Sequence, residues 1–97
     1  MTESAATEAV LRVLGASYDR EVVGRHYRHM PWVIRCRLAT GYTMSYGLPA
    51  AWPHPLRVVE DLLDAQLPLL TQVDLVAPNS SVTRRYRRDT LGEWEAV

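Results

Sequence analysis

The sequence predicts an α+β domain with helices packed on a mainly antiparallel sheet, in the order α-α-β-β-α-β-β-β. Three observations carry this prediction. Residues 32–46 form two arms of alternating apolar and polar residues around a glycine. Residues 56–67 carry an apolar stripe at helical spacing. Two further alternating segments near the end of the chain are separated by the turn cluster Pro78-Asn79-Ser80-Ser81. At 97 residues the chain reads as one domain, spanning 1–97.

The elements follow in chain order. Residues 4–14 read as a helix with Ala6, Ala9, Val10, Val13 and Leu14 on one face, Ser4 as N-cap and Gly15 as terminator. A second helix is expected over residues 18–29, stopped by Pro31. Its arginines Arg20, Arg25 and Arg28 invite a helix-turn-helix reading. Placing Gly15 in the turn of that motif puts Glu21 where an apolar residue should pack, so a helical hairpin covering a sheet is the preferred reading.

The central hairpin has the most specific signal. In the first arm Trp32, Ile34, Cys36 and Leu38 alternate with Val33, Arg35 and Arg37. In the second, Tyr42, Met44 and Tyr46 alternate with Thr43 and Ser45. A three-residue loop, Ala39-Thr40-Gly41, sets Leu38 opposite Tyr42, Cys36 opposite Met44 and Ile34 opposite Tyr46. Such a loop needs a left-handed third residue, and Gly41 supplies it. A stiff Pro-rich loop follows, holding Leu48, Pro49, Trp52, Pro53 and His54.

Pro55 can open the next helix, predicted over residues 56–67 with Leu56, Val59, Leu62, Leu63, Gln66 and Leu67 inward and Pro68 ending it. Residues 69–72 read as a turn or short helical piece and 73–77 as a strand. The last two strands are expected over 82–88 and 93–97. A loop of residues 88–92 would set Arg87 opposite Glu93, Tyr86 opposite Trp94 and Arg85 opposite Glu95.

Composition bounds the function. Eleven basic residues balance eleven acidic ones, so no global field draws the chain to nucleic acid or an anionic surface. Every basic residue is Arg, and Phe is absent; this usage points to a GC-rich bacterial genome or a phage of such a host. Cys36 stands alone, which excludes a disulfide within the chain. The first residues lack a basic segment followed by an apolar run, so a cytoplasmic location is expected. Residues 38–56 hold no charge, but Gly41, Gly47, Pro49, Pro53 and Pro55 would break a membrane helix, and no membrane association is expected.

Two surfaces are candidates for function. The first is the uncharged aromatic loop with its flanking arginines: Tyr42, Tyr46, Leu48, Trp52 and His54 with Arg35 and Arg37 resemble the aromatic and Arg content of protein interfaces. It supports a non-catalytic protein-interaction or regulatory module, of phage origin or acting as an accessory subunit, with homo-oligomerisation using the same surface. The second is Arg84-Arg85-Tyr86-Arg87-Arg88. These arginines, with Tyr86 and Trp94 as stacking platforms, define a nucleic-acid-binding alternative. Pairing of these arginines with Glu93 and Glu95 on an exposed hairpin is the competing structural explanation.

A small metal-dependent enzyme is a third reading. It needs His26, His29 and Cys36 to converge, and no Cys pair, glycine-rich phosphate loop or nucleophile motif supports it. No catalytic, metal or cofactor set is therefore assigned. Glu60, Asp61 and Asp64 read as a solvated helix face.

Overall fold

The computed structural model describes residues 3–17, 32–48 and 55–97. These form two helices packed on a five-stranded antiparallel sheet, in the order α-β-β-α-β-β-β. The helix predicted over 18–29 and the Pro-rich loop with Trp52 and His54 lie outside the described residues. The elements are α1 (Glu3–Ser17), β1 (Trp32–Leu38), β2 (Thr43–Leu48), α2 (Pro55–Asp64), β3 (Leu70–Val76), β4 (Val82–Arg88) and β5 (Trp94–Ala96).

Helix α1 buries Ala6, Val10 and Leu14 at four-residue spacing, as its apolar stripe requires. Two of its predicted ends are corrected. The helix begins at Glu3, so Ser4 lies inside it, and it continues through Gly15 to Ser17. One glycine costs a helix only about 1 kcal/mol relative to alanine, less than tertiary packing supplies. Helix α2 begins at Pro55 as predicted but stops at Asp64, short of Pro68. Gln66 takes a left-handed φ of 50° and its N–H donates to the Leu63 carbonyl, which unwinds the chain first. The buried stripe is Val58, Val59 and Leu62, while Leu56 and Gln66, expected inward, are exposed.

The strand order β2-β1-β3-β4-β5 puts the connection through α2 to use. After the β1–β2 hairpin the chain crosses over and returns as β3 on the other side of β1. Strand β3 starts at Leu70, three residues earlier than expected, and buries Val73, Asp74, Leu75 and Val76 in succession, as a central strand does. One sheet face carries Ile34, Cys36, Leu38, Met44, Leu48, Val73 and Leu75, and these form a single core with the buried residues of both helices. Packing against one helix-covered face is why alternation along β1 and β2 was visible.

The β1–β2 register matches the prediction pair for pair, including Ile34 opposite Tyr46 and Cys36 opposite Met44. The Leu38 N–H donates to Tyr42 O at 2.8 Å and the Gly41 N–H to Leu38 O at 2.9 Å, with Gly41 at φ +92°. The β4–β5 register is corrected. Arg88 stands opposite Trp94, Arg87 opposite Glu95 and Tyr86 opposite Ala96. The loop is Thr90-Leu91-Gly92, closed by Asp89 N–H to Glu93 O at 2.8 Å, with Gly92 at φ +82°. It is the same turn as the first hairpin, and Asp89 Oδ1 stiffens it by accepting the Leu91 and Glu93 N–H groups.

Candidate functional site

Side chains alternate along each strand, so the sheet face opposite the core is set by the register. Two rows run across it. Arg35 of β1, Asp74 of β3 and Arg85 of β4 are neighbours in the first, with Ser45 of β2 beyond Arg35. Arg37, Gln72, Arg87 and Glu95 are neighbours in the second, with Thr43 beyond Arg37. Four arginines from two hairpins nearly fifty residues apart therefore share one surface, with two carboxylates among them. With strands about 4.8 Å apart, the backbones of Arg37 and Arg87 stand roughly 10 Å from each other across β3.

The first row is locked from within. Asp74 is fully buried. Arg85 grips it with both arms of the guanidinium, Nε to Oδ1 at 2.9 Å and a terminal N–H to Oδ2 at 3.1 Å. Gln72 Nε2 donates to the same carboxylate at 3.2 and 3.3 Å, and the Arg35 guanidinium lies 3.9 Å away. This two-point geometry is the strongest form of carboxylate–guanidinium pairing. It holds the Arg85 guanidinium charged beyond its ordinary range. Arg35 and Arg85 remain 41% and 38% exposed, so the carboxylate is hidden beneath a cationic roof that still meets water.

The second row is free. Arg37 and Arg87 are exposed, and neither has an ion-pair partner among the described residues. What the face presents outward is a net positive charge: two guanidiniums without an ion pair beside two more whose shared counter-charge is buried, with Glu95 exposed opposite Arg87.

The other arginines of the basic run do different work. Arg88 lies on the core side and joins the Leu67–Leu70 turn to the β4–β5 loop. Its Nε donates to Leu70 O, and its terminal nitrogens donate to Leu67 O and Gly92 O, each at 2.8 Å. Its guanidinium stacks on Trp94, 4.3 Å from the ring centre. Arg84 is exposed and donates to the carbonyl of Thr83.

The residues of the nucleic-acid alternative are divided between the two faces of the sheet. Tyr86 and Trp94 are half-buried against the core, on the face away from Arg85 and Arg87. The Trp94 indole N–H is buried without an acceptor among the described residues. Alternation within β4 puts Arg85 and Arg87 on one face and Arg84, Tyr86 and Arg88 on the other, so no aromatic platform lies among the four arginines of the face opposite the core.

The aromatic-loop set is only partly placed. Tyr42 is 47% exposed and lines a shallow depression of about 340 Å³ with Ser4, Thr7 and Glu8. Tyr46 is half-buried on the core face, its hydroxyl donating to Met44 Sδ at 3.3 Å, and burial first, then Cys36 and Tyr42, pushes its pKa up to about 12. Leu48, expected at a contact surface, is a fully buried core residue that ends β2. Trp52, His54, His26 and His29 lie outside the described residues. Cys36 is buried, and desolvation, followed by the Asp74 charge, pushes its thiol up to about 12, an inert core thiol rather than a ligand or nucleophile. Among the described residues no group of three or more His, Cys, Asp and Glu is placed to hold a metal ion, and no helix is long and apolar enough to cross a membrane.

Asp74 and Gln72 were not singled out by the sequence. The one signal was an acidic residue inside the apolar run Val73–Val76, which marks a carboxylate that must find a partner. No protein-family model, curated protein or solved structure matches the chain.

Proposed function

We propose that this protein is a non-catalytic interaction module that holds an acidic segment of a partner protein against the arginine face of its sheet. The supporting observation is the pair of adjacent rows, in which the free guanidiniums of Arg37 and Arg87 flank Gln72 beside Arg85, locked on Asp74, and Arg35, 3.9 Å from the same carboxylate. A locked guanidinium loses little side-chain freedom on binding, which lowers the entropic cost of a contact. The free pair supplies charge, and Gln72 places an amide between them. No aromatic residue stands in these two rows, so stacking of bases is not offered there, and carboxylates are the better match than nucleobases.

The test is a titration of a labelled Glu/Asp-rich peptide against the protein, read by fluorescence anisotropy at low and high salt. A single-stranded oligonucleotide of equal length serves as the second probe. Each exposed ion pair contributes about 0.2–1 kcal/mol. Replacing Arg37 and Arg87 together by Gln should therefore weaken peptide binding by roughly ten-fold. Absence of peptide binding, or binding indifferent to R37Q/R87Q, overturns the proposal. Tighter binding of the oligonucleotide, lost in the same variant, would replace it with phosphate recognition.

A further inference from the structure

We infer that Gln72 is the specificity residue of the arginine face: Asp74 orients its amide so that the face selects an acidic segment carrying a main-chain N–H between two carboxylates. The inference rests on the reading of this face as a dock for an acidic segment, and deepens it. Gln72 stands in the middle of its row, with Arg37 beside it on β1 and Arg87 beside it on β4. Its Nε2 donates to both oxygens of the Asp74 carboxylate, at 3.2 and 3.3 Å. Asp74 is fully buried and gripped by Arg85 at 2.9 and 3.1 Å, so the anchor of this amide is itself fixed.

A carboxamide carries donors at one end and an acceptor at the other, and a glutamine on an open surface turns either end outward. Here the carboxylate decides. Turning the amide over would set Oε1 against Asp74, two acceptors face to face, with the hydrogen bonds lost. Oε1 is therefore held away from the carboxylate. Among the described residues it accepts no hydrogen bond, and only the Trp94 indole nitrogen is buried without a partner, so Oε1 meets water.

The row Arg37, Gln72, Arg87 thus offers a cation, an acceptor and a cation. A phosphodiester or polyphosphate brings acceptors alone and would leave Oε1 facing another oxygen. An extended peptide brings both kinds of group: carboxylates for the two guanidiniums and a main-chain N–H for the oxygen between them. Carboxylates two residues apart lie on one side of such a segment, about 7 Å from each other, and two arginines rooted roughly 10 Å apart reach them by leaning inward. Glu95 stands opposite Arg87 at the end of the row, so a further acid beyond that end would be repelled. The partner segment is therefore acid-x-acid, with one N–H of that triplet on Gln72.

The test titrates the full chain against four labelled peptides of one length, read by fluorescence anisotropy. The parent holds Glu-Ala-Glu between glycines. Each of the others has one main-chain amide of that triplet replaced by an ester, which removes an N–H and keeps charge and length. One ester is expected to weaken binding to the wild-type protein by roughly five-fold, with the other two within about two-fold of the parent. Gln72→Met keeps the size of the side chain and removes both donor and acceptor. In that variant the same ester should cost less than about two-fold, because its partner atom is gone. Circular dichroism checks that Q72M is folded, and the ester series on the wild-type protein decides the matter alone if it is not. A parent peptide that does not bind overturns the arginine-face reading and this inference together. A parent that binds, with three esters that act alike or with an ester loss undiminished in Q72M, overturns this inference and leaves docking of an acidic segment by charge in place.

Discussion

Replacing Arg88 separates a structural from a binding role within the basic run. In Arg88→Ala three carbonyls, Leu67 O, Leu70 O and Gly92 O, lose a charged donor at 2.8 Å, and Trp94 loses the guanidinium stacked 4.3 Å from its ring. The bonds to Leu67 O and Leu70 O are half-shielded from water and the one to Gly92 O is exposed, so about 1 kcal/mol per bond is an upper net value. The stacking adds about 0.5–1 kcal/mol. Freeing the arginine side chain returns about 1–2 kcal/mol of rotamer entropy. The balance is a destabilisation of about 1.5–3 kcal/mol, a large share of the roughly 5–15 kcal/mol expected for a domain of this size. At about 4–8 °C per kcal/mol, the melting temperature should fall by roughly 6–24 °C. Arg88→Lys keeps the charge but not the fork, and should fall between. Thermal unfolding followed by circular dichroism reads all three proteins. Arg88→Ala melting within about 3 °C of wild type would refute the reasoning, as would an intact melt accompanied by loss of anion binding.

Three further outcomes follow from the same geometry. Cys36 should resist thiol reagents in the folded protein and react stoichiometrically in denaturant, and labelling of native protein at the unfolded rate would contradict its burial. The folded pKa of Cys36 is raised from 9.0 to about 12 and that of Tyr46 from 10.0 to about 12, so both groups bind protons more tightly folded than unfolded. Stability should then be flat below pH 9 and decline as pH rises toward 12, and an alkaline titration of the melt showing no decline would count against both assignments. Gly41 and Gly92 hold left-handed φ values with nothing within 4 Å of an added Cβ. Alanine at either should therefore cost about 1–2 kcal/mol through backbone strain alone, and asparagine distinctly less, measured by urea unfolding.

The first hairpin was legible because two signals agreed: period-two alternation on both arms and a glycine where a three-residue loop needs one. The last hairpin pairs two residues away from the expected register, because the turn at Gly92 decides it rather than cross-strand charge pairing. Gly92 marks the same loop position as Gly41, and that signal alone yields the observed pairing of Arg88 with Trp94. Leu48 was assigned to the loop on account of the prolines that follow, although alternation from Met44 and Tyr46 continues to it. The arginine face was hidden for a topological reason. Arg35 and Arg37 meet Arg85 and Arg87 only because β3 inserts between β1 and β4, and strand order is a product of packing rather than of local pattern. Asp74 was hidden for a related reason: a lone acid looks solvated until the arginine that covers it is located.

The arginine-face account is tested most directly by mapping amide chemical shifts in the ¹⁵N-labelled protein while the acidic peptide is added. The account predicts salt-sensitive shifts concentrated at Arg35, Arg37, Gln72, Arg85 and Arg87, with Tyr86, Arg88 and Trp94 on the opposite face unmoved. Shifts centred on Tyr86, Arg88 and Trp94, or a saturating response that leaves Arg37 and Arg87 unchanged, would contradict it.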